Sequence, residues 1–223
     1  MVVPDDGPGP GVLLLHSWWG LTPGVKEQVE ALADAGFSAL APDLLAGALP
    51  ETAAEAAAEL QATSADETAA LVLSSIVALR SRSADVDAPV GVIGFSMGGS
   101  WALWAATRQP ESVAAMVDYY GHTDLDVADL RAQVMCHFAT DDPLVSEDEA
   151  AELQAHLLLV GKSVEVHRYP GTRHFFAETG VPALDAAGES GERSAQEVAA
   201  AELAWGRSVG FLAEALGVGG SRQ

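Results

Sequence analysis

Gly94-Phe95-Ser96-Met97-Gly98-Gly99 sets one hydroxyl between two glycines, each two residues away. The apolar run Pro89-Val90-Gly91-Val92-Ile93 before it reads as a buried strand. The stretch Ser100-Trp101-Ala102-Leu103-Trp104-Ala105-Ala106 after it reads as a helix. Strand, Gly-x-Ser-x-Gly, helix is the setting of a nucleophile elbow. The turn is tight, so the residues flanking the serine must be small, and Gly94 and Gly98 meet that need. The hydroxyl is pushed out at the C-terminal edge of the strand. The first N–H groups of the helix, which have no partner inside it, are then available to a developing oxyanion.

A serine hydroxyl is a weak nucleophile and needs a general base, usually a histidine oriented by a carboxylate. In an elbow of this kind the chain order is serine, then acid, then histidine. Two later segments fit. A strand at Val134–Ala139 runs into Thr140-Asp141-Asp142-Pro143-Leu144-Val145, and one at Ser163–Tyr169 runs into Pro170-Gly171-Thr172-Arg173-His174-Phe175-Phe176. Each candidate follows the C-terminal end of a strand, where open α/β sheets bind ligands. His174 is the choice for base. His16 closes the first strand, His137 and His167 lie within strands, and His156 is mid-helix. His122, after Tyr119-Tyr120-Gly121, is the one serious rival. Asp141 and Asp142 are adjacent and only one can face the histidine, so the residues themselves leave both open.

The elements that must carry these groups alternate along the chain. Strands are expected at Val12–His16, Phe37–Ala41, the elbow strand, Val113–Tyr119, Val134–Ala139 and Ser163–Tyr169. A helix starts at Thr22-Pro23, with the threonine as N-cap and proline in the first turn, and stops at Gly36. The stretch Ala46 to Thr63 reads as a loop plus a short helix near Thr52–Glu55. Ser64 with Glu67 opens a firmer helix, Ser146 with Glu149 one that runs to Val160, and Ser194 with Glu197 a closing one through Leu216. In that last helix Val198, Leu203, Trp205 and Leu212 are expected in the core. About six alternations imply an α/β fold: a mostly parallel sheet of about six or seven strands with helices on both faces.

The 223 residues suit a single domain, with residues 1–10 as a lead and 217–223 as a frayed tail. A formal charge of −21 opposes nucleic acid, anionic membranes and anionic substrates. The only lysines are Lys26 and Lys162. No apolar run approaches the ~18 residues of a membrane span. The N-terminus has no basic stretch followed by an apolar one, so no signal peptide and a cytoplasmic location are expected. Cys136, the single cysteine, reads as a small buried hydrophobe, and no Cys/His spacing suggests a metal.

Together these residues resemble the dienelactone hydrolase family of α/β-hydrolases. The resemblance runs from about Val12 to Leu216. It rests on Trp18-Trp19-Gly20, Ala41-Pro42-Asp43-Leu44, the Ser96 elbow, Tyr119-Tyr120-Gly121, Asp142-Pro143-Leu144-Val145, Tyr169-Pro170-Gly171 and His174-Phe175-Phe176. It implies an α/β-hydrolase fold with Ser96 as nucleophile, Asp142 rather than Asp141 as acid and His174 as base. The backbone N–H groups of Met97 and Trp18 would form the oxyanion hole. Ser17, Trp19, Tyr119, Phe175 and Glu178 would meet the substrate.

Four departures shape the expectation. The family's best-known members use cysteine as nucleophile, and this chain has Ser96. They carry a glutamate before the position of Trp18, where this chain has Ser17. The two arginines that hold a substrate carboxylate are missing: Glu178 stands four after His174, and residues 51–79 contain no arginine. The chain also starts late, without the antiparallel strands that usually precede the first parallel one. An anion needs a cation in its pocket, and Glu178 would repel it. A neutral ester or lactone is therefore the expected substrate, cleaved through an acyl-serine without metal or organic cofactor by a monomer or homodimer. A thioesterase, an acyltransferase or a non-catalytic ligand-binding protein on the same fold are the alternatives.

Overall fold

A computed structural model describes residues 1–159, 163–185 and 187–218. Its frame is a six-stranded sheet in the order β2-β1-β3-β4-β5-β6. The strands are β1 (Gly11–Leu15), β2 (Ser38–Leu40), β3 (Val90–Phe95), β4 (Val113–Tyr119), β5 (Gln133–Ala139) and β6 (Val164–Tyr169), and every pairing between them is parallel. The helices are α1 (Pro23–Asp34), α2 (Ala53–Ala62), α3 (Ala65–Arg80), α4 (Met97–Arg108), α5 (Glu147–Leu159) and α6 (Ala195–Leu216). A small antiparallel pair, β7 (Ala183–Leu184) and β8 (Ser190–Gly191), precedes α6.

The central strands β1, β3 and β4 are largely apolar because both faces are buried, whereas the edge strand β6 carries Glu165, His167 and Arg168 and is only partly covered. Successive side chains divide between two cores. Val12 and Leu14 of β1, Ile93 and Phe95 of β3, and Val117 and Tyr119 of β4 join Val25, Val29 and Leu32 of α1 and Ala204 and Leu212 of α6. Leu13 and Leu15, Val90 and Val92, Met116 and Cys136 turn the other way, against α3, α4 and α5. Strand order reverses at β1, which lies between β2 and β3. Ligands in open α/β sheets bind at such a switch point, beyond the strands' C-terminal ends.

Several boundaries differ from the sequence reading. The short helix near Thr52 is a ten-residue helix, α2, started by the Thr52–Glu55 capping box. Only Ala56 of it is buried, so alanine-rich propensity and the cap form this helix without an amphipathic stripe to reveal it. Val198 and Leu203 are not core: they are 39% and 52% exposed. The buried stripe of α6 is Glu197, Ala204, Ser208 and Leu212, whose smaller members let the helix lie close to the sheet. Val2 exchanges backbone hydrogen bonds with Ala39, a single antiparallel bridge along the edge of β2. Val160 and residues 219–223 lie outside the described residues, so the end expected for α5 and most of the expected tail do too.

A buried polar network ties α6 to the sheet. The Ser208 hydroxyl donates to the Ala204 carbonyl at 3.0 Å, so its oxygen accepts from the Tyr119 hydroxyl (2.7 Å) and from His137 Nε2–H (2.9 Å). His137 Nδ1 then accepts from the Tyr169 hydroxyl at 2.8 Å, which accepts from Arg207 at 3.1 Å. This pattern requires a neutral His137. Burial, with His167 and Arg207 nearby, pushes its pKa down to about 3 from 6.5. The unfolded chain takes up this proton first, so the stability that His137 contributes is complete above 6.5 and is lost as pH falls towards 3. His137→Gln cannot titrate. The difference in unfolding free energy between wild type and this variant should therefore shrink across that window. Denaturant titrations at a series of pH values measure it, and a difference independent of pH would refute the account.

Candidate active site

The site is built where α4 begins. Ser96 closes β3 with φ 52° and ψ −116°, a conformation disfavoured for any residue with a side chain. The surrounding backbone enforces it. A Cβ on Gly94 would strike the Gly98 carbonyl, and a Cβ on Gly98 would strike the Leu15 carbonyl. The first turn of α4 thus lies directly on the ends of β3 and β1, which only glycine permits. The Ser96 N–H donates to the Tyr119 carbonyl at 2.8 Å, which pins the turn to β4. Met97 is the first residue of α4, so its N–H is one of those left without an intrahelical partner.

Ser96 Oγ lies 2.8 Å from His174 Nε2, and His174 Nδ1 lies 2.7 Å from Asp142 Oδ2. The side chains of His174 and Asp142 are almost wholly buried, whereas Ser96 is half-buried. The other oxygen of Asp142 accepts the N–H groups of Leu144 (2.8 Å) and Val145 (3.0 Å). The carboxylate is therefore fixed from both sides. Its neighbour Asp141 is exposed and turned away, with its N–H on the Thr172 carbonyl. His174 is held through its own carbonyl, which accepts the Leu184 N–H of β7 at 3.2 Å. Next to it, Arg173 donates to Glu197 through its backbone, Nε and Nη2 at 2.8–3.0 Å. Against the upward push of burial, Arg173 and the Ser194 cap hold the Glu197 pKa at about 2. The loop carrying His174 is anchored in this way to the N-terminus of α6.

Neither rival histidine is arranged as a base towards Ser96. His16 Nδ1–H donates to the Ser17 carbonyl at 2.7 Å and its Nε2 accepts the Leu44 N–H at 2.9 Å. Burial lowers its pKa. His122 Nε2 lies 3.5 Å from Asp124.

The residues expected around the substrate part company. Trp18 follows β1, is half-buried and stacks on Phe175 with centroids 5.6 Å apart. Trp19 and Phe175 are buried and pack edge to face, so they support Trp18 from beneath. Tyr119 does not reach the site. It is fully buried and points its hydroxyl to Ser208, because side chains alternate along β4 and its place falls to the α6 face. Glu178 does not line an open pocket either. It is 2% exposed, and burial raises its pKa to about 7. Its carboxylate accepts from Ser17 Oγ at 2.6 Å and from the Tyr120 hydroxyl at 3.2 Å. Ser17 is itself buried, so it meets Glu178 rather than solvent. Tyr120, the second tyrosine of the Tyr119-Tyr120-Gly121 motif, packs its ring on His174 at 4.7 Å. Its place after Tyr119 in the Tyr-Tyr-Gly motif was the available signal.

The strain at Ser96 is open to measurement. Ser96→Ala and Ser96→Gly both lose the hydroxyl and its hydrogen bond. They differ in the cost of a Cβ at positive φ, about 1–3 kcal/mol. Ser96→Gly should therefore be the more stable by that strain less the roughly 0.4–1 kcal/mol of extra chain entropy that glycine loses on folding, the reverse of the usual order of the two residues. Equilibrium denaturation of the pair decides it, and an alanine variant as stable as the glycine variant would mean that the turn is relaxed.

The sequence profile of the dienelactone hydrolase family matches residues 1–216. The chain is 28% identical over 230 residues to a carboxymethylenebutenolidase of Rhodococcus opacus, covering 96% of this chain and 85% of that protein. It is 29% identical over 177 residues to protein usf of Aquifex pyrophilus, covering 75% and 77%. Among solved structures, a dienelactone hydrolase-like promiscuous phosphotriesterase from metagenomic libraries superimposes with a TM-score of 0.75 at 25% identity, covering 94% and 87%. With its parallel sheet, its elbow and these relatives, the chain belongs to the dienelactone hydrolase family and is a hydrolase of the α/β-hydrolase fold.

Proposed function

We propose that this protein cleaves a small neutral ester or lactone through an acyl-serine intermediate. The observation that carries the reading is the hydrogen-bonded chain from Asp142 through His174 to Ser96, with contacts of 2.7 and 2.8 Å, ending on a serine held at positive φ. Ser96 Oγ attacks the carbonyl carbon while His174 Nε2 takes its proton. Asp142 accepts from His174 Nδ1–H, which fixes the tautomer and stabilises the imidazolium. The tetrahedral oxyanion is met by the N–H groups of Met97 and Trp18. Collapse expels the alcohol, which receives the proton from His174. Water, deprotonated by the same nitrogen, then attacks the acyl-serine and releases the acid. Nucleophile, base and oxyanion donors all come from the chain, so the reading calls for no cofactor.

The preference for a neutral substrate follows from where the nearby cations are spent. Arg173 is committed to Glu197 and to the Glu192 carbonyl, and Arg193 donates to the Phe176 carbonyl at 3.1 Å. The net charge of −21 adds repulsion at long range. Glu178, expected from the sequence at the pocket wall, is instead buried against Ser17 and Tyr120.

Hydrolysis of a short-chain activated ester by wild type, Ser96→Ala and Asp142→Asn tests the reading. Both variants should lose at least about a thousandfold in kcat, because the three side chains act as a unit. A neutral ester should turn over faster than a matched ester carrying a carboxylate. Full activity in Ser96→Ala would overturn the acyl-serine reading, and an acid-bearing ester cleaved faster would overturn the neutral one.

A further inference from the structure

Glu178 joins three segments that each carry a part of the site. It ends the turn that follows His174, with its N–H on the Phe175 carbonyl at 3.1 Å. Its Oε2 accepts from Ser17 at the end of β1, and its Oε1 from Tyr120 at the end of β4. A buried carboxylate without partners would be costly, so these two hydroxyls and the carboxylate fix one another in place.

What the two hydroxyl-bearing residues control is specific. The Ser17 carbonyl accepts from His16 Nδ1–H at 2.7 Å and from the Gly20 N–H at 3.2 Å. The peptide is planar and trans, so anchoring that carbonyl on one side turns the Trp18 N–H to the other. The Ser17 hydroxyl also accepts the Trp19 N–H at 3.3 Å. Locking the Ser17 side chain therefore locks the turn that presents the Trp18 N–H. Tyr120, for its part, lays its ring on His174 at 4.7 Å. It follows Tyr119, whose carbonyl holds the Ser96 N–H.

We propose that Glu178 is a positioning residue for acyl transfer: by bridging Ser17 and Tyr120 it holds the Trp18 N–H and the His174 ring in register with Ser96. This rests on the acyl-serine reading above. The bridge acts on groups that engage the transition state, so its loss falls on kcat rather than on KM.

The test uses the full chain and an activated short-chain ester. Glu178→Ala should lower kcat about 10- to 100-fold with KM within about threefold, as misplaced donors and bases do. Glu178→Gln should recover most of that loss, since its carbonyl accepts one hydroxyl and its amide donates to the oxygen of the other. Ser17→Ala and Tyr120→Phe should each give a partial loss, and adding Ser17→Ala to Glu178→Ala should cost nothing more. If Glu178→Ala does not fold, the two smaller excisions decide the matter. Variants that lose thermal stability but keep wild-type kcat, or losses that simply multiply, would overturn the proposal. Ser96→Ala is measured alongside. A dead Ser96→Ala beside fully active bridge variants would refute the positioning role alone, whereas an active Ser96→Ala would remove the acyl-serine reading beneath it.

Discussion

The close backbone approach of α4 to the ends of β1 and β3 is the constraint on which the rest of the molecule depends. It requires glycine at 94 and 98, because a Cβ at either would meet a carbonyl. The same economy recurs one turn on. Gly99 and Gly121 close around the buried side chain of Asp118, which accepts the Gly121 N–H at 3.0 Å. Burial pushes the Asp118 pKa up to about 7. Relaxing any of these contacts would move the helix away from the sheet. Ser96 would then lose its forced conformation.

Around that junction the remaining parts are each fixed twice. Asp142 has one oxygen on His174 and the other on two backbone N–H groups. His174 is held by Asp142, by the β7 backbone and by the neighbouring Arg173–Glu197 pair. Glu197 serves at once as the capping-box residue of α6 and as the acceptor for Arg173. Support of this kind lets side chains that come from loops be held to a narrow positional tolerance.

Much of this was legible in the chain, for identifiable reasons. The elbow declares itself because backbone sterics dictate glycine at two fixed positions. Buried parallel strands declare themselves as unbroken apolar runs, and the caps at Thr22, Ser64, Ser146 and Ser194 as hydroxyls before helical stretches. The choice between Asp141 and Asp142 was not contained in residue type, since it turns on which one accepts from Leu144 and Val145. Tyr119 and Tyr120 are adjacent tyrosines with opposite fates, decided by strand alternation and by a positive φ of 45° at Tyr120. Glu178 was read as a charge facing the substrate because its partner Ser17 lies 161 residues away, beyond any local pattern. The β7–β8 pair was invisible because two-residue strands have no periodicity to detect.

The sequence separations in the site have a consequence for how the protein comes into being. His174 is 78 residues from Ser96 and 32 from Asp142, and Glu178 reaches back 161 residues to Ser17. Contacts between residues so far apart form late, because loop closure must be achieved before any contact repays it. A chain emerging from the ribosome carries the Ser96 turn long before it carries His174. If Ser96 and His174 act as proposed, turnover reports the last events of assembly. A nascent or partly refolded molecule can therefore hold the elbow while Asp142, His174 and Glu178 are still out of place.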